Sequence, residues 1–124
     1  MSESVYKKDN LILNLTFDFA IDAITFCELL EERKKFVVAR QLLRSATSVG
    51  ANIREAQNAE SKADFIHKMK IAAKEADETE YWLLICKAAK DYPYNEELLE
   101  KLLSVIKILN KIISSSKNNN KSSM

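Results

Sequence analysis

The sequence predicts an all-α domain folded as an antiparallel up-down-up-down four-helix bundle, and three observations carry that prediction. The 124 residues are 47% hydrophobic yet include one Gly and one Pro, too few for the turns of a hairpin or sandwich fold. Apolar residues recur at three- and four-residue spacing through four long stretches, the period of an amphipathic helix. The connections between these stretches are short, which sets successive helices antiparallel. A chain this long buries one core, so residues 1–124 are expected to form one domain. The composition excludes collagen, low-complexity disorder and a disulfide scaffold.

Helix one is expected over residues 10–32. Leu13, Phe17, Ala20, Ile24 and Cys27 form one apolar stripe. Leu15, Phe19, Ala23, Phe26 and Leu30 form a second, so the apolar arc is wide and touches several neighbours. The end of this helix is inferred rather than read, because residues 31–35 hold no Gly, Pro or Asn. Without a break there, helices one and two would form a rod of about fifty residues, ~75 Å long at ~1.5 Å per residue, unable to bury its own arc. A tight turn is therefore placed in this charged stretch.

Helix two is expected over 36–59, carried by Val38, Leu42, Ala46, Val49, Ile53 and Ala56. Gly50 lies inside it, at a cost of about 1 kcal/mol relative to Ala. That cost makes sense if another backbone passes close by; the alternative is that Ala would serve as well. Helix three, expected over 61–90, opens on Ser61 as N-cap with Asp64 three residues later, a variant of the capping box. It continues through Ile66, Met69, Ala73, Ala76, Leu83 and Cys86. Asp91-Tyr92-Pro93-Tyr94 is the strong breaker of the chain. Asn95 then caps helix four, with Glu96 and Glu97 beside the positive end of its dipole. Leu99, Leu102, Ile106, Leu109 and Ile113 carry this helix over 95–114, and residues 115–124 are expected as a disordered polar tail.

A net charge of +1 advertises no global affinity for nucleic acid. The charge is nevertheless segregated. Residues 33–54 hold six basic groups (Arg33, Lys34, Lys35, Arg40, Arg44, Arg54) and no acidic one, whereas residues 75–100 hold eight acidic groups and two basic. Blocks of opposite sign can compensate each other within one fold or between subunits. The amino-terminal stretch has no apolar core or cleavage pattern, and no apolar run approaches membrane-spanning length, so a bacterial or cytoplasmic address is expected. Cys27 and Cys86 are expected as free, buried thiols. With His67 the sole histidine, a zinc site lacks ligands.

No catalytic set and no phosphate-cradling glycine loop is present, and neither cofactor nor metal is implied. Glu75, Asp77, Glu78 and Glu80 lack the Glu-x-x-His pattern of a di-iron bundle and are expected as acidic helix surface. Gln41, Ser45, Ser48, Asn52 and Glu55 form a polar seam along helix two. It is either a solvated face or a hydrogen-bonded seam against another helix or subunit. Hairpin levels place Arg44 near Asp22 and Glu75, where charge-assisted bonds give it a structural role; the alternative is a free nucleic-acid contact. Asn52 is placed near Lys68. Arg33, Lys34, Lys35 and Arg40 are the candidate nucleic-acid cluster, with a solvated turn as the plain alternative. Tyr81, Trp82, Tyr92 and Tyr94 gather near the same end, as core and rim packing or as a partner-binding patch.

Three segments together identify a family resemblance. Gln41-Leu-Leu-Arg-Ser-Ala-Thr-Ser-Val-Gly-Ala-Asn-Ile-Arg-Glu-Ala56, then Ser61-Lys-Ala-Asp-Phe65, then Lys74-Glu-Ala-Asp-Glu-Thr-Glu-Tyr-Trp-Leu83 resemble the four helix bundle family of 23S rRNA intervening-sequence proteins. The resemblance spans roughly residues 10–113. It implies a left-handed antiparallel bundle. A related branch, the accessory protein of diversity-generating retroelements, is a pentameric barrel that binds reverse transcriptase and RNA, so the resemblance also implies a homopentamer. The family's marked positions fall on Arg44, Ser45, Ser48, Asn52, Glu55, Ser61, Asp64 and Glu78, to which hairpin geometry adds Glu75. The expected function is a non-enzymatic, homo-oligomeric adaptor that contacts structured RNA or an RNA-processing partner. The alternative is a protein–protein scaffold with no nucleic-acid role. Neither a membrane nor a small-molecule substrate is implied.

Overall fold

A computed structural model of the protein describes residues 10–122, with side chains as far as Asn118. Four helices account for nearly all of this: α1 (Leu11–Glu32), α2 (Phe36–Ala56), α3 (Lys62–Ala88) and α4 (Glu96–Ser122). The stretch 1–9 and the last two residues of the expected tail lie outside the described residues. Each helix packs on its neighbours in sequence, and α4 closes against α1. No Cα pair joins the diagonal partners α1 and α3, or α2 and α4, within 8 Å. This is the square, sequentially connected bundle that short connections predict.

Three of the four helix starts follow from side-chain caps. Asn10 accepts from the Leu13 N–H at 3.3 Å, Ser61 from Asp64 at 3.0 Å, and Asn95 from Leu98 at 3.0 Å. The Asp64 carboxylate in turn accepts from the Glu60 N–H at 3.1 Å, completing a reciprocal cap. The boundaries shift at two ends. Helix α2 stops at Ala56 rather than 59, because Gln57, Asn58 and Ala59 bond three residues back, the tighter geometry common in a terminal turn. Helix α4 continues to Ser122 instead of fraying at 114. Its polar extension contains no Gly or Pro to break it.

The inferred turn between α1 and α2 is a Schellman motif. The Lys35 N–H bonds the Leu30 carbonyl at 2.8 Å and the Lys34 N–H bonds that of Glu31 at 2.9 Å. Lys34 has φ 63°, the left-handed backbone that glycine usually supplies.

The core takes every position expected of α2. On α1 the second stripe holds better than the first. Phe19, Ala23, Phe26 and Leu30 are buried, joined by Ile12, Leu13, Thr16 and Cys27. Phe17 and Ala20 are only half-buried and Ile24 is exposed, because a square bundle offers α1 two neighbours and leaves one apolar side of a very wide arc uncovered. Burial pushes the Cys27 thiol up to about 12 and the Cys86 thiol up to about 11, so both stay protonated at neutral pH. Both are free. They stand on diagonal helices with Cα atoms beyond 8 Å, outside the reach of a disulfide.

Gly50 meets the close approach its position suggested. A Cβ there would lie 3.2 Å from Oγ1 of Thr16 and 3.5 Å from its carbonyl oxygen on α1. Thr16 cannot swing away freely, since its buried hydroxyl donates to the Ile12 carbonyl at 2.8 Å. The steric term therefore opposes the ~1 kcal/mol of helix propensity that Ala would contribute.

Two outcomes are expected. Lys34→Gly should raise unfolding stability by roughly 0.5–1 kcal/mol by relieving the left-handed backbone; a denaturant midpoint that stays put or falls would contradict the turn. Gly50→Ala should lower stability in the natural chain and lower it less in a Thr16→Ala background, where the Oγ1 contact is gone and the 3.3 Å contact to Cβ remains. A double-mutant cycle by denaturant melts reads that coupling.

Candidate functional site

The turn end of the bundle brings together residues from two distant segments. Arg33, Lys34 and Arg40 are exposed and make no ion pair among the described residues. Lys35 is different: its ammonium sits 4.7 Å from the centre of the Tyr92 ring, a cation–π contact tying the α1–α2 turn to the α3–α4 loop. In that loop Asp91 also takes a left-handed backbone, φ 65°. Tyr94 bonds Glu96, and Lys87 lies 5.5 Å from the Tyr94 ring centre and 3.7 Å from the Glu96 carboxylate. Burial, then the Glu96 carboxylate, pushes the Tyr94 hydroxyl up to about 12.

The four aromatics do not form one patch of equal members. Tyr81 is 56% exposed and meets Trp82 edge to face, with ring centres 5.1 Å apart. Trp82 is partly buried, and its indole N–H donates to Glu78 at 3.0 Å. It therefore belongs to a polar clamp between α2 and α3. Arg44 of α2 forks across that seam, bonding Glu75 at 3.1 Å and also Glu78. These bonds hold the Arg44 guanidinium above its ordinary range, Glu78 being the largest cause. The Trp82 N–H first, and Arg44 second, hold the Glu78 carboxyl below its ordinary range.

This clamp gives Arg44 the structural role expected of it but corrects one partner. Asp22 faces α4 and pairs with Lys101 there, while Glu78 takes the place assigned to it. One turn inward, the buried hydroxyls of Ser45 and Thr79 are hydrogen-bonded at 2.9 Å. Ser48 donates to the Arg44 carbonyl at 2.7 Å and Asn52 to that of Ser48 at 2.8 Å, so these two bond their own helix. Lys68 meets Glu55 at 3.8 Å rather than Asn52. The seam is thus inter-helical at Ser45 and Glu55 and intra-helical at Ser48 and Asn52 between them; Gln41 is exposed. Ser61 and Asp64 cap α3.

Two features were not read from the sequence. Thr79 as the partner of Ser45 follows only once the α2–α3 hairpin level is fixed. The groove between α1 and α4, about 630 Å³, pairs segments with no local signal linking them. Its floor is Phe26, Leu29 and Leu98, and Glu28, Glu32 and Glu97 stand on its rim. No helix among the described residues is long and apolar enough to cross a membrane.

Comparison with known proteins places these features in context. The family model for the 23S rRNA-intervening sequence protein matches residues 8–115. A solved structure of a protein with unknown function from the S23 ribosomal protein family of Bacteroides thetaiotaomicron VPI-5482 is 42% identical. The match covers 83% of this chain and 98% of that one, with a TM-score of 0.77. No curated protein matches.

The lowered Glu78 carboxyl makes a pH-dependent prediction. Its stabilising contribution is present above the ordinary carboxylate value of 4.5 and is lost as pH falls through the lower folded value. Trp82→Phe removes the indole N–H bond to Glu78, so the variant should lose less stability than the natural chain between pH 7 and pH 3. Equal acid losses in paired denaturant melts would refute the indole's share in the clamp.

Proposed function

The chain belongs to the 23S rRNA-intervening sequence protein family, and from that premise we propose a non-enzymatic, self-associating adaptor whose turn end contacts structured RNA. The observation that supports the RNA contact is the free basic corner of Arg33 and Lys34, with Arg40 one turn below. Of the other three cations of residues 33–54, Arg44 is in the clamp, Lys35 lies over Tyr92 and Arg54 sits at the far end of α2. Exposed cations without internal partners suit phosphate, to which each contributes a salt-sensitive share. Self-association repeats the corner, so weak contacts add as avidity. The count of five subunits comes from the family resemblance. The location proposed is the cytoplasm, where such RNA is found.

A second reading keeps the self-association and replaces RNA with a protein partner. The outward ring of Tyr81, 56% exposed, favours it, since aromatic anchors dominate protein interfaces.

The two readings separate on one variant. Arg33→Glu with Lys34→Glu should weaken binding to a structured ribosomal RNA fragment at least tenfold, and flatten its salt dependence, while leaving the helical circular dichroism intact. Unchanged affinity removes the corner from the RNA reading. An absence of RNA binding by the natural chain at physiological salt, with loss of a protein partner in Tyr81→Ala, establishes the scaffold reading instead.

A further inference from the structure

The groove between α1 and α4 joins an apolar floor to a charge that the fold leaves unanswered. The floor of Phe26, Leu29 and Leu98 lies open between the levels of Asp22 and Glu32, ~15 Å along α1. The lining carries four carboxylates, those of Asp22, Glu28, Glu32 and Glu97, against the single ammonium of Lys101, which Asp22 already holds. Glu28, Glu32 and Glu97 are exposed and enter no ion pair among the described residues. Glu97 suits the start of α4, but the other two work against the helix that bears them. Glu32 stands in the last turn of α1, where the helix dipole disfavours a carboxylate and no basic residue answers it. Glu28 stands four residues earlier, and like charges at that spacing repel. An acidic rim that costs α1 stability, set around an uncovered apolar floor, fits a partner of opposite charge.

We propose that the α1/α4 groove docks a cationic amphipathic helix of a protein partner. Its apolar side lies on Phe26, Leu29 and Leu98, and its Lys or Arg flanks meet Glu28, Glu32 and Glu97. Helix-in-groove recognition uses apolar anchors at three- and four-residue spacing, and ~15 Å holds about three turns. Among the described residues the chain offers its own groove no such segment, since α4 starts there and runs away, leaving Ser122 ~36 Å off. Nucleic acid has the wrong charge for this rim. Tyr81 belongs to α3, diagonal to α1, and so to a different surface. The inference rests on the adaptor reading and deepens it by giving the class of protein partner. Proteins that work on RNA carry Lys and Arg to neutralise phosphate, and a helix of that chemistry is what the groove selects. The basic corner begins one residue past Glu32 and outside the groove lining. RNA at the corner and the partner helix in the groove then lie side by side.

Fluorescence anisotropy with the full chain at physiological salt tests this, using three labelled helical peptides of about four turns. One is a Leu/Lys amphipathic helix, one a Leu/Glu helix of the same apolar pattern, and one an Ala/Lys helix of the same charge. The Leu/Lys peptide should bind at least about tenfold tighter than either of the others, because only it matches both floor and rim. Glu28→Gln combined with Glu32→Lys should weaken that binding about tenfold while raising the denaturant midpoint of the free chain, since it relieves both penalties in α1. Asp77→Asn with Glu80→Lys makes the same charge change on α3 and should leave binding within about twofold, screened by salt. Leu/Lys binding that is absent at ~100 μM, or is matched by either other peptide, overturns the docking site and leaves the adaptor reading standing. An α3 variant as damaging as the α1 variant does the same. So does an α1 variant whose light-scattering mass falls below that of the natural chain, because a neighbouring copy then fills the groove. Capture of the Leu/Lys peptide by a chain that binds no RNA overturns the RNA half of the adaptor reading and leaves the groove standing.

Discussion

A left-handed backbone at Lys34 turns the chain between α1 and α2, and the rest of the bundle depends on that reversal. Two amphipathic helices without it would run on as one rod, and neither apolar arc could meet a partner. The Schellman bonds to Leu30 and Glu31 supply the local geometry. They do so without glycine, so packing must hold a lysine in a backbone that costs it roughly 1–2 kcal/mol. The hairpin this creates sets Gly50 against Thr16 and displays a basic corner at the end of the molecule.

That corner is smaller than the charge pattern suggests. Of the basic groups in residues 33–54, Arg44 neutralises two carboxylates and Lys35 lies over an aromatic ring. Segregated charge in the sequence is thus partly consumed as internal compensation between α2 and α3; Arg33, Lys34 and Arg40 face solvent near the turn and Arg54 at the far end of α2. The same bookkeeping divides the aromatics. Trp82 is held in the clamp, Tyr92 and Tyr94 brace the loop, and Tyr81 is left outward.

Much of the fold was legible because it is local. The core of α2, the caps at Ser61 and Asn95, and the tight contact at Gly50 all follow from period, cap chemistry and glycine's missing side chain. The turn at 31–35 could be inferred only from the impossibility of the rod, since no residue there announces it. What failed was non-local. Period alone could not say that Phe17, Ala20 and Ile24 would lie on the uncovered side of α1, because that depends on how many neighbours α1 has. Hairpin levels placed Arg44 beside Glu75 but could not separate Asp22 from Glu78, since the direction of a side chain around its helix decides between them. The pairing of Asp22 with Lys101 joins residues of the first and last helices, 79 apart in the chain and beyond any spacing rule.

The order in which the helices touch also governs how the molecule assembles and comes apart. Three of its four seams join consecutive helices, so their contacts form as each hairpin closes, with little loop entropy to overcome; such low contact order goes with folding in microseconds to milliseconds. The α1/α4 seam alone must wait for both ends of the chain. It is the least intimate of the four and carries the open groove. Amide exchange in α1 and α4 can therefore proceed through a swinging-apart of this seam that leaves the α2–α3 hairpin intact, a partial opening well short of global unfolding.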